Sequence, residues 1–323
     1  MRGGRSGKST LARAAKTVAS LSPDTSMPAE PGVYDIETAA GPAPKLRLWG
    51  GYIGNFSETD SHGGHLGYDS DTHGGMVGFS ADLAEDFSLG LFGAYTDGNT
   101  SMKGVDSEVD TDGMHAGIVF GWSPSAVPGL GVNADFTYSF YDNDAWRKVG
   151  GSKNKGSFDQ DIYSFGLGGE YAIGLGENIF LTPFLNFRYA HIEQDGFSES
   201  GQVLAAKVGS LDGDSITTTP GLRLEGFFPF EGGSFAPYIS AGWRHEWGDR
   251  DFDSRASYRN VPGSSWNLSS IKADRDSADL GVGFEVLKDL ADGKQIGFNM
   301  SFDANISENS ESSNVYAGIL FKF

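Results

Sequence analysis

The sequence predicts an all-β chain closed into a 12-stranded antiparallel transmembrane β-barrel. Three observations predict it. Apolar residues recur at every second position over most of the chain. The segments that show this are longer than ordinary soluble strands, whose mode is about 5–6 residues. The connections between them alternate between short and long.

The alternation is plainest in three places. In residues 87–96, Phe87, Leu89, Leu91 and Tyr95 share one face. In residues 160–173, Tyr163, Phe165, Leu167, Tyr171 and Ile173 oppose Ser164, Gly166, Gly168 and Glu170. In residues 295–306, Ile296, Phe298, Met300, Phe302 and Ile306 oppose Gln295, Asn299, Asp303 and Asn305. Period two places successive side chains on opposite faces of a strand. Extended along the chain, the pattern predicts twelve strands near 45–56, 72–83, 87–97, 111–122, 129–141, 160–174, 179–193, 213–228, 234–247, 274–287, 294–306 and 312–323. Each reaches the roughly 9–11 residues that a tilted strand needs to cross a bilayer.

Short connections are expected near 84–86, 123–128, 175–178, 229–233 and 288–293, and long ones near 57–71, 98–110, 142–159, 194–212 and 248–273. Outer-membrane barrels have short periplasmic turns and long extracellular loops. An even strand count then puts both ends of the barrel on the periplasmic side. The connection 307–311 is short and departs from the pattern. The soluble alternative is a lectin-like jelly roll, with the apolar face as a buried core.

Composition agrees with a membrane barrel. Hydrophobic residues make up 38%, aromatics 13%, and mean hydropathy is −0.30. No apolar run approaches a spanning helix, whereas a barrel wall meets lipid with only alternate residues. A formal charge of −19 disfavours nucleic acid as a partner. The chain has no cysteine, which is compatible with an oxidising compartment.

Residues 1–44 form a separate N-terminal segment. Leu11, Ala14, Ala15 and Val18 fall on one helical face, so 9–21 is a candidate helix, and 22–44 is a Pro-rich linker. Arg13 and Lys16 interrupt any apolar signal core, so the natural chain is expected to begin upstream of Met1.

Several stretches resemble the autotransporter β-domain, the translocator of type V secretion. They are LWGGYIGNF (48–56), YDSDTHGGMVGFSADL (68–83), YAHIEQDGFSESG (189–201), PYISAGWRHEWGD (237–249) and the closing NVYAGILFKF (314–323). The resemblance spans about 45–323. It implies an outer-membrane barrel that anchors and helps export an upstream passenger, with a helix through its pore. The candidate helix 9–21 is the expected occupant.

Two residue groups carry the expected work. Ala317, Ile319, Phe321 and Phe323 alternate on the last strand, and the resemblance implies a signal read by the barrel assembly machinery. Period-two phasing sends Glu170, Arg188, Arg223, Glu225, Arg244, Glu246, Asp279 and Glu285 into the lumen, with Arg47, Asp82, Asp135, Asp303 and Lys322. An Arg or Lys facing mid-bilayer lipid would cost about 2–4 kcal/mol, which favours the inward phase. Acids outnumber bases there. The set either receives a basic segment such as residues 2–16 or pairs with itself. Trp49, Trp122, Tyr138, Tyr141, Tyr189, Trp243 and Trp247 lie near expected strand ends, as interfacial girdles do.

Chemistry is not expected. His62, His65 and His73 with Asp60, Asp69 and Asp71 fit no metal spacing, and a solvated loop is the better reading. Asp249, Asp251 and Asp253 lack the Gly and Glu of an EF-hand. GRSGKST (4–10) lacks the first Gly of a phosphate loop and a preceding strand. No G-x-S-x-G occurs. No enzyme activity and no cofactor are therefore expected. The expected partners are outer-membrane lipid with lipopolysaccharide, the assembly machinery and the passenger. The alternatives are a stand-alone channel or porin and a loop-based adhesin.

Overall fold

The computed structural model describes residues 46–323 apart from Glu85 and Asp251. The candidate helix 9–21 and the linker 22–44 lie outside the described residues. Twelve long strands form the wall: β1 (Leu46–Thr59), β2 (Tyr68–Ala84), β3 (Phe87–Met102), β4 (Ser107–Trp122), β5 (Leu130–Val149), β6 (Ser152–Tyr171), β7 (Ile179–Gln194), β8 (Leu211–Gly226), β9 (Gly233–Glu246), β10 (Asp276–Asp289), β11 (Gln295–Ile306) and β12 (Ser310–Lys322). Each pairs antiparallel with the next, and β12 pairs with β1 to close the sheet. Closure removes both sheet edges, so every strand finds backbone partners without water, the condition for crossing a bilayer. Among the described residues the helical structure is a 3₁₀ turn at Ala291–Gly293, and no helix is long and apolar enough to cross a membrane.

The seam joins the first and last strands of the barrel. Arg47 faces Lys322, Leu48 faces Phe321, and the Phe323 N–H donates to the Leu46 carbonyl at 2.9 Å. Leu46 and Phe323 therefore lie on one rim, together with the connections 123–129, 172–178, 227–232 and 290–294.

On the wall the apolar face points outward. Phe79, Leu91, Phe136, Phe165, Leu167, Leu222, Ile239, Val282, Phe298 and Ile319 are all exposed. In water that would be an aggregating surface; in hydrocarbon it is the solvated one.

The opposite rim departs from the expected long loops. Residues 98–102, 107–110 and 142–149 with 152–159 continue the β3–β4 and β5–β6 hairpins as ladder, leaving only 103–106 and 150–151 as turns. Above the membrane the outward positions become Asp110, Asp142, Asp144 and Asp159, so the alternation persists with its polarity reversed. Two connections remain long, 195–210 and 247–275. They fold back over the barrel opening as a second four-stranded sheet of Phe197–Ser198, Ala206–Val208, Asp253–Tyr258 and Trp266–Ser269. This crown has its own core. Val109, Ala145 and Phe158, on inner faces of β4–β6, pack with Phe197, Val208, Ala256 and Leu268.

Candidate functional site: lumen, seam and girdle

The lumen is built by the inward phase of the strands. A cavity of about 530 Å³ is lined by Asp135, Glu170, Arg188, Arg223, Glu225, Arg244, Asp279, Glu285, Asp303 and Lys322, among others. Most of these charges face a partner on a nearby strand. Arg188 meets Asp135 at 3.3 Å, and Arg244 meets Asp279 at 3.0 Å. Arg223 bonds both Glu170 and Glu225. Near the seam, Arg47 forks onto Asp82 at 2.6 and 3.1 Å. Such pairing lets charged side chains line a confined, partly dehydrated space without an isolated charge.

Glu246 plays a different part. Its carboxylate accepts the Ile216 and Gly248 N–H groups at 2.9 and 2.7 Å and the Ser215 hydroxyl at 2.7 Å. It lines a smaller upper cavity of about 170 Å³ and ties down the base of the 247–275 connection. His115 also lies on the inner face, within 3.0 Å of Thr96 Oγ1 and 2.9 Å of Ser139 Oγ.

The closing strand β12 presents Ile319, Phe321 and Phe323 outward, with Ala317 part-exposed in the same phase. Tyr316, Leu320 and Lys322 are buried inward. Leu320 and Tyr316 pack with Trp49, Met76 and Phe92, an apolar cluster on the inner wall beside the seam.

The aromatics divide into two groups. Tyr138, Trp243 and Trp247 are exposed on the outer wall. Trp49 and Tyr141 are buried inside: Trp49 against Phe92, Tyr141 beneath the crown with Ile162, Ile192 and Phe252. For Tyr141 the girdle expectation fails because β5 runs on past the membrane, where its inner face is the apolar one.

Around the outer wall one motif repeats on five successive strand pairs. Tyr95 on β3 donates to Asp112 on β4, and Tyr138 on β5 to Asp161 on β6. Tyr189 on β7 donates to Asp214 on β8 at 2.8 Å, and the Trp243 indole on β9 donates to Asp276 on β10 at 3.0 Å. Tyr52 on β1 bonds His73 on β2. Each polar partner stands one diagonal step further from the periplasmic rim than the aromatic. An aromatic ring with its polar end bonded upward suits an interface that is apolar below and wet above. Periodicity picked out Tyr95, Tyr138, Tyr189 and Trp243; Tyr52 and the diagonal polar partners needed the register.

The histidines of the first connection are not assembled for metal. His62 contacts the backbone carbonyls of Asp60 and Lys272, and His73 lies on the outer wall beside Tyr52. Among the described residues no group of three or more His, Cys, Asp or Glu side chains converges. Asp251 lies outside the described residues.

A closed wall with a lipid-facing exterior, a charged lumen and paired ends is the geometry of a membrane barrel, and one family model matches it over residues 48–300: the autotransporter beta-domain. The chain belongs to the autotransporter β-domain family. It is therefore an outer-membrane translocator barrel, located in the bacterial outer membrane. Similar solved structures include the translocator domain of the autotransporter NalP from Neisseria meningitidis, with TM-score 0.70, 16% identity and 97% of each chain covered. The transport unit of the autotransporter AIDA-I from Escherichia coli matches with TM-score 0.64 and 17% identity, covering 97% of this chain and 99% of that one. Among sequence relatives, an "Extracellular serine protease" of Serratia marcescens is 23% identical over 280 residues, 85% of this chain and 26% of that protein. "Outer membrane protein A" of Rickettsia rickettsii is 26% identical over 279 residues, 77% of this chain and 11% of that protein. The autotransporter barrel thus spans about a quarter or less of these longer relatives. The protease name describes the whole Serratia protein.

Proposed function

We propose that this barrel anchors an upstream passenger in the outer membrane and helps it reach the cell surface, without catalysing a reaction itself. One observation carries the reading: a closed twelve-stranded wall brings both strand ends to one rim, so a segment N-terminal to Leu46 starts at the periplasmic mouth of a polar lumen. The candidate helix 9–21 would enter it, and the basic residues Arg2, Arg5, Lys8, Arg13 and Lys16 in and beside it suit the luminal excess of carboxylates. The luminal ion pairs compete with such docking, so the segment would be held by shape as much as by charge.

Insertion would depend on the barrel assembly machinery reading β12 through Ala317, Ile319, Phe321 and Phe323. Their outward placement beside the seam supports this, because it leaves them available until β12 meets β1. Lipid and lipopolysaccharide would contact the wall and its aromatic–carboxylate ring.

The test is export of a reporter passenger fused upstream, behind a signal peptide, in a bacterium with an outer membrane. The expected result is surface-exposed reporter together with a chain that migrates faster unboiled than boiled. Deleting Phe323 should lower outer-membrane insertion. A folded, heat-modifiable barrel that never exposes the reporter would overturn the translocator reading. Open-pore conductance that is the same with and without residues 1–44 would favour the stand-alone channel; loop exchanges that abolish cell binding would favour the adhesin.

A further inference from the structure

The connection 247–275 does not stand away from the barrel. It crosses the opening and is held on several sides. Phe252 is buried on the β5–β8 wall against Tyr141, Ile162, Ile192 and Leu211. Some twenty residues later Ile271 is buried against Tyr68 and Met102 at the tops of β2 and β3. Between them Ala256 and Leu268 enter the crown core on β4–β6.

Polar contacts fix the remaining sides. The Lys272 carbonyl lies 3.1 Å from His62 Nε2, in the 60–67 connection. Asp274 accepts both the backbone N–H and the side-chain amide of Asn309, at 2.7 and 2.9 Å, in the 307–309 turn. The second long connection is locked to the same structure. Glu199 is fully buried, and Arg147 of β5 forks onto it at 2.6 and 2.7 Å. The Ala206 N–H adds a third bond to that carboxylate at 2.6 Å.

The upper cavity lies beneath this lid, bounded by Phe252, Ile271 and Asp274 on one side and by Ser215 and Thr217 on the wall. Thr217 and Arg244 line both the upper and the lower cavity, so the two meet at that level.

We infer that the crown is a built-in outer seal, with Phe252 and Ile271 as its two footings and Arg147–Glu199 as its latch. The inference rests on the translocator reading for its meaning. The apolar core of the crown packs on the inner faces of β4–β6 and so narrows the outer opening through which a passing chain would leave. The crown therefore closes last, around whatever segment of the anchored chain remains in the pore, and keeps the outer membrane tight.

The chain has no cysteine, so one introduced thiol reports alone. Thr217→Cys in the full chain places a thiol directly under the lid. Intact cells are treated with a membrane-impermeant maleimide. Labelling should be slow with the crown intact, and at least tenfold faster with Phe252→Asp plus Ile271→Asp. Replacing residues 252–271 by a short Gly-Ser linker should have the same effect, and decides the matter if the double variant fails to fold. Heat-modifiability on a gel certifies the barrel in each case. Equal labelling with and without the crown would overturn the seal. Passenger export is scored separately: slow labelling in a barrel that exports nothing would sink the translocator reading and leave the seal standing.

Discussion

Strand β6 runs through two environments without a break in its ladder. In its lower half Phe165 and Leu167 point outward and are exposed, while Gly166, Gly168 and Glu170 face the lumen. In its upper half the outward positions are Asp159 and Asp161, and the inward positions Phe158 and Ile162 are among the most buried in the molecule. Strand β5 does the same, from Phe136 outward and Asp135 inward to Asp144 outward and Ala145 inward. Backbone geometry is unchanged across the switch; the surroundings decide which face is apolar. Below the ring of Tyr138 and Asp161 the outside is hydrocarbon. Above it the outside is water, and the space over the barrel opening becomes the core.

The largest effect expected from this comparison lies in the crown. Arg147→Met leaves the buried Glu199 carboxylate without its fork, and losing one partner of a buried pair costs about 3–5 kcal/mol. Limited proteolysis should then nick the 197–208 and 253–269 region, while the unboiled barrel keeps its fast gel mobility. Loss of the barrel as well would show that the two regions are one cooperative unit.

Next comes an arginine scan of one face of one strand. Leu167→Arg places a charge on the lipid face and should cost about 2–4 kcal/mol in folding into vesicles. Asp159→Arg, further along the same face of β6, should stay within about 0.5 kcal/mol, as exposed surface changes do. It also removes one of the like charges around Asp142, which stands directly opposite. Equal costs at the two sites would break the comparison.

The smallest effect concerns pH. Burial alone would raise the Asp274 carboxyl, but the Asn309 side chain and backbone N–H hold it below the ordinary carboxylate range. A group depressed in the folded state contributes stability above its unfolded pKa, about 4, and loses it as pH falls through the folded value. The lid should therefore be unaffected at neutral pH and loosen only in strong acid. Hydrogen exchange at Asn309 across that window checks it, and Asp274→Asn should flatten the dependence.

The membrane half was legible in the sequence because lipid makes one demand on every strand. Phe165 with Leu167 and Phe298 with Phe302 repeat it, and the luminal charges follow as the complementary phase. The upper half was read as loop at 98–110 and 142–159. There Asp142, Asp144 and Asp159 break the apolar alternation on the face being followed, while Ala145, Phe158 and Ile162 take it up on the other. A reading that follows one face loses the strand at the switch. The crown left no local signal: Val208 meets Ala256 and Phe252 meets Ile162 only through pairings distant in sequence. Tyr95, Tyr138, Tyr189 and Trp243 of the outer ring were visible, but their bonds to Asp112, Asp161, Asp214 and Asp276 depend on the register between strands.

The switch in polarity is tested most directly by single cysteines along β5, each probed in outer membranes with a water-soluble maleimide and a lipid-soluble spin label. Positions 136 and 138 should be silent to the maleimide and mobile in lipid. Positions 142 and 144 should label freely from water, and 141 and 145 should resist both probes. Free aqueous labelling at 136, or at 145 in the folded chain, would contradict the account.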